Sequence, residues 1–161
     1  MLGRKNYEQE ELDQCKEAIQ KQLGAYKRLV QAIDGNASDN KAASALRTFE
    51  PLFFNNLTLA LDRYFVHRLR MATGKDSNPL NEVELLCDSL MNNEGVLRAN
   101  NVITYDPDES VVKLQIGDPI KLTESDFERL SSAFFAELER KFLERKATTP
   151  RQRRRAGAGA R

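Results

Sequence analysis

The chain has 161 residues, 40% of them hydrophobic and 30% charged, with a formal net charge of +1. That length gives room for one domain with its own core and too little for two of ordinary size. No apolar run approaches the roughly 18 residues of a membrane-crossing helix, and MLGRKNYEQEEL lacks the apolar centre of a signal peptide, so a cytoplasmic protein with no membrane partner is expected. The charge is unevenly spread. From Arg145 onward stand seven basic residues and no acid, so subtracting seven from +1 leaves −6 on residues 1–144. Cys15 and Cys87 lie far apart at apolar-phase positions of predicted helices, which is neither a disulfide framework nor metal-ligand spacing. Buried free thiols, no metal and no cofactor are expected.

Residues 7–33 predict a long amphipathic helix. Leu12, Ile19, Tyr26 and Ile33 recur every seven positions, with Cys15, Gln22 and Leu29 in the complementary slots. Such a heptad seam serves either a coiled-coil dimer or a bundle within one chain, and the further helices below favour the bundle. Gly24 weakens the helix, which suggests close packing of another helix there. Asp34-Gly35-Asn36 ends it, and Ser38 or Asp39 caps a short alanine-rich linker helix, NKAASALR.

Thr48 to Gly74 is the most apolar long run and holds the only histidine. It reads as a central, mostly buried helix, with Thr48 as cap, Pro51 in the first turn and Gly74 just past the end. Phe53, Phe54, Leu57, Leu61, Tyr64, Phe65 and Met71 form a broad apolar arc. Leu52, Leu59 and Val66 form a second, narrower patch, so neighbours are expected on both faces. Between the patches runs a stripe of Asn56, Ala60, Arg63, His67 and Arg70. Its donors and cations suit an anion or phosphate, and the histidine suits a general acid. The competing reading is a solvated seam whose arginines pair with carboxylates of a neighbouring helix. Arg63 and His67 together also suit metal-independent RNA cleavage. Their spacing is shorter than in HEPN-type helical ribonucleases, so membership of that group is not assigned.

Ser77 or Asn78 before Pro79 opens a third long helix with Leu80, Val83, Leu86, Cys87, Leu90 and Met91 on one face. Its other side carries Asn81, Glu84 and Asp88, a row placed to face Arg63, His67 and Arg70. From Val96 the pattern changes. Val102–Tyr105 and Val111–Ile116 alternate like strands around the turn-forming Asp106–Ser110, and Ile120–Leu122 adds an edge, so an antiparallel β-hairpin over about 102–122 is expected to lie against the helices as a flap. Thr123 and Asp126 resemble a capping box. The helix they open places Phe127, Leu130, Phe134, Phe135, Leu138 and Phe142 on one side.

The expected fold is therefore mainly α. A four-helix-bundle-like core spans residues 1–146, the hairpin is inserted before the last helix, and 147–161 form a disordered basic tail. No P-loop, dinucleotide fingerprint, HExxH or G-x-S-x-G motif occurs. The favoured function is a non-enzymatic helical interaction, scaffold or regulatory protein that binds a protein partner or a second copy of itself. The alternatives are association with nucleic acid or another acidic partner through Arg151, Arg153, Arg154 and Arg155, and ribonuclease-like chemistry at Arg63 and His67.

Overall fold

The computed structural model describes residues 7–35, 40–64 and 75–143. Within them the chain forms four helices: α1 (Gln9–Asp34), α2 (Asn40–Tyr64), α3 (Pro79–Asn92) and α4 (Glu124–Phe142). The fold is mainly helical. α2 packs against α1, α3 and α4, and α3 packs against α4. Among the described residues no helix is long and apolar enough to cross a membrane.

α1 uses its heptad seam inside the molecule. Leu12, Ile19 and Tyr26 are buried, together with Leu23, while Leu29 at the far end is exposed. Gly24 has no helix pressed against it, since a Cβ there would meet only the end of Arg28 at 3.5 Å. Lys16 pairs with Glu139, and Lys27 lies 2.7 Å from Glu128 and 3.3 Å from Glu124, so salt bridges tie α1 to α4.

The linker helix and the central helix expected on either side of Thr48 are one continuous helix, α2. Thr48 does not cap anything. Its hydroxyl donates to the Ser44 carbonyl at 3.2 Å, and Pro51 stands inside the helix rather than in its first turn. An interior proline removes one backbone bond and strains the preceding turn. Continuity across it implies that packing on both sides of Pro51 outweighs that cost. The expected Ser38 or Asp39 cap and residues 65–74, including Gly74, lie outside the described residues.

α3 is the most deeply enclosed rod. Asn78 caps it, accepting from the amides of Leu80 at 3.0 Å and Asn81 at 3.2 Å, with Pro79 in the first turn. Leu80, Val83, Leu86 and Cys87 are buried as their spacing predicts, but Asn81, Glu82, Leu85 and Ser89 are buried too, while Met91 is 69% exposed. α2 and α4 account for one side of this helix. The segment between α3 and α4 covers the other.

That segment is not the expected β-hairpin. No strand occurs among the described residues, and the isolated bridge here joins Val96 to Pro119. The physical reason lies in where the amides of the second expected strand go. Val111 and Val112 donate to the Glu82 carboxylate at 2.8 and 2.9 Å, Lys113 to Ser110 Oγ at 3.0 Å, and Gln115 to Asp118 at 2.8 Å. Donors already claimed by side chains cannot build a ladder. Lys113 also adopts φ +60°, which interrupts an extended strand. On the other side Thr104 donates to the Lys75 carbonyl at 2.7 Å. The 106–110 turn is present, closed by Ser110 N to Asp106 O at 3.0 Å. The segment still lies against the helices as a flap, burying Ile103, Val112, Ile120 and Leu122.

α4 follows its sequence closely. Thr123 and Asp126 form a capping box, and Phe127, Leu130, Phe134, Phe135, Leu138 and Phe142 are all buried. At its end the Phe142 carbonyl accepts from the Tyr7 amide at 2.9 Å, joining the start of the described chain to α4.

Candidate interaction surface

The site follows from the two faces of α2. The inward face carries Phe54, Leu57, Thr58 and Leu61, all buried. Phe54 meets Tyr26 edge-on at 4.8 Å and Phe127 at 5.7 Å. Burial, reinforced by a hydrogen bond to Glu50, pushes the Tyr26 phenol up to about 12, so this hydroxyl stays protonated and serves as packing. Thr58, which an apolar core would otherwise exclude, donates to the Phe54 carbonyl at 2.9 Å and is thereby satisfied.

The outward face is left open. Leu52 is 59% exposed and Phe49 43%, with Ala45, Asn56 and Arg63 also exposed and Leu59 partly covered. The second apolar patch of Leu52 and Leu59 thus lacks the full neighbour expected for it, and Val66 lies outside the described residues. Residues 51–61, PLFFNNLTLAL, contain no charged side chain in a chain that is 30% charged.

Beside Leu52 runs a groove of about 690 Å³. α2 supplies Pro51, Leu52 and Asn55, the end of α3 supplies Leu90, and the returning loop supplies Pro119 and Ile120. Its lining also includes Arg47, Lys121 and Glu94. Asn55 sets the loop against α2, donating to the Ile120 carbonyl at 2.8 Å and accepting from the Leu122 amide at 3.3 Å. The amide side chain imitates a backbone pairing and holds the groove wall in place. Pro51 adds to this wall a turn in which the Arg47 carbonyl lacks its usual helical donor.

Of the stripe read from the sequence, Asn56 and Arg63 are exposed on this same outward face, and Asn56 donates to the Leu52 carbonyl at 2.9 Å. His67 and Arg70 lie outside the described residues, as do Arg151, Arg153, Arg154 and Arg155. Two of the three side chains expected to face the row on α3, His67 and Arg70, are thus outside the described residues. Asn81 is buried and donates to the Asp76 carbonyl at 2.8 Å, and Glu84 and Asp88 line a hollow with Leu59 and Asp62 of α2. Among the described residues Arg63 has no ion-pair partner, and no group of three or more His, Cys, Asp or Glu is arranged to hold a metal ion.

Glu82 went unnoticed in the sequence, although it organises the flap. It is 1% exposed, and burial raises its carboxyl above the ordinary glutamate range against the opposing pull of the Val111 and Val112 amides, Lys113 and Arg129. Nothing in the local pattern of PLNEVELL marks this glutamate out from Glu84, because its partners stand about thirty residues away. Phe49 and the loop residues Pro119 and Ile120 were missed for a similar reason. Only placement shows that Phe49 remains exposed and that Pro119 and Ile120 come to line a groove beside α2.

No family model matches this chain, and neither a curated protein nor a solved structure matches it.

Proposed function

We propose that the protein is a non-enzymatic interaction or scaffold protein that binds another protein through the outward face of α2 and the groove beside it. The observation that carries this reading is the pair of exposed apolar side chains, Phe49 and Leu52, at the start of an uncharged stretch of α2 and beside a groove whose lining includes Leu90, Pro119 and Ile120. Interface cores are depleted in charge and enriched in aromatic residues, and exposed apolar patches tend to mark surfaces that a partner covers. The test is a photo-crosslinking amino acid at position 52 in cells making the protein, with the exposed Glu109 position as control. A protein adduct at 52 and none at 109 is expected. No adduct at 52 overturns the reading.

A second reading rests on the charge separation between an acidic body and a basic end. Arg151, Arg153, Arg154 and Arg155 neutralise phosphates without regard to base sequence, so the end would add salt-sensitive affinity for nucleic acid. Binding of duplex DNA in low salt with and without residues 148–161 tests it. Equal binding removes it.

A further inference from the structure

Positions 45, 49, 52, 56, 59 and 63 on α2 follow one another by steps of four and three, the spacing by which one helix presents a seam to another. They are Ala, Phe, Leu, Asn, Leu and Arg, and all but the partly covered Leu59 are exposed. The heptad in α1 has Leu12, Ile19 and Tyr26 already buried, whereas this seam on α2 is left open.

The seam is complementary to itself in one direction only. Counting from Asn56, Phe49 and Arg63 stand seven residues away on either side, with Leu52 and Leu59 between. Laid parallel and in register, two such seams set Arg63 against the partner's Arg63, a like-charge contact that costs stability. Laid antiparallel about a two-fold axis at Asn56, each Phe49 ring meets the partner's Arg63, a cation over an aromatic face, and Leu52 lies beside the partner's Leu59. Of the flanking positions Leu46, Thr48, Phe53, Asn55, Ala60 and Asp62, only Asp62 at the end of the seam is charged. The polar Asn56 lies at the centre, and a single asparagine in an apolar seam is a known means of setting register. A closed two-fold contact uses the same patch on both copies, as this one does.

The geometry points to a homodimer in which the outward seams of two α2 helices pair antiparallel about Asn56. The partner is a second copy of this chain, and the inference rests on the interaction reading above. Sedimentation equilibrium of the full chain from micromolar to millimolar concentration should show a monomer–dimer equilibrium. Leu52→Glu should weaken it at least tenfold without moving the thermal midpoint of dilute, monomeric protein, because the side chain is mostly exposed within one copy. Direction is read by oxidation of cysteine variants against the wild-type background. Asn56→Cys alone should form a disulfide dimer. Phe49→Cys should crosslink when mixed with Arg63→Cys and not by itself.

A monomer at every concentration, a dimer indifferent to Leu52→Glu, or Phe49→Cys crosslinking to itself overturns the pairing. The photo-crosslink at position 52 separates the two failures. A monomer that gives an adduct with a different protein leaves the interaction reading standing and removes self-pairing, whereas no adduct removes both.

Discussion

Replacing Glu82 tests the device that holds the flap on α3. Its carboxylate is 1% exposed and accepts from the Val111 and Val112 amides at 2.8 and 2.9 Å. Alanine leaves both amides without their acceptor, at about 1–3 kcal/mol each, and relieves part of the cost of burying a charge. The expected net loss at neutral pH is about 2–4 kcal/mol, and a chain of this size loses roughly 2–4 °C of melting temperature per kcal/mol. Glutamine keeps the shape and one acceptor oxygen while turning a donor towards the other amide, so about half that loss, roughly 1–2 kcal/mol, is expected. Urea unfolding gives the stability change, and hydrogen exchange locates it: the Val111 and Val112 amides should lose protection in both variants, while the interior of α4 changes only with global stability. The reasoning is refuted if Glu82→Ala melts within about 2 °C of wild type, or if those two amides exchange as slowly as before.

Glu82, Gly24 and Thr123 each give a further expected outcome. Burial raises the folded value of Glu82 above its unfolded one, so its protonation adds stability that is fully present below the ordinary glutamate range and is lost as pH rises through the raised value. Urea midpoints across pH should show the gap between wild type and Glu82→Gln widest in acid and narrowing towards neutrality; a gap that widens with pH contradicts the burial argument. Gly24→Ala should stabilise α1 by about 0.5–1 kcal/mol, since the added methyl meets only the mobile end of Arg28; a lower melting temperature would point to a neighbour not seen there. Thr123→Ala should cost about 1 kcal/mol by removing the α4 cap. The Asp126 carboxyl, pushed up by burial but held below its ordinary range by Thr123 and Arg129, should rise in that variant, and NMR titration reads it directly. The contribution held by that lowered value is present above the unfolded value and lost as pH falls through the folded one.

Local chemistry was enough to place much of the helical framework. Asn78 with Pro79 and Thr123 with Asp126 are caps built from neighbours within a few residues, and the phenylalanine spacing of α4 identifies its buried side without reference to any other element. The same holds for Leu12, Ile19 and Tyr26 in α1. The 106–110 turn was legible too, because Asp and Pro shape the backbone next to them.

Tertiary placement decided the rest. Val111–Ile116 has the alternation of a strand, yet it becomes a flap because a carboxylate on another element takes the donors of Val111 and Val112. α2 runs unbroken past Thr48 and Pro51, where short-range signals imply a new start. The apolar spacing of Leu52 and Leu59 was visible from the sequence, but not that their side of the helix would stand open beside a groove. Periodicity reports which face of a helix is apolar. What covers that face depends on the positions of distant elements, which the spacing of neighbouring residues does not encode.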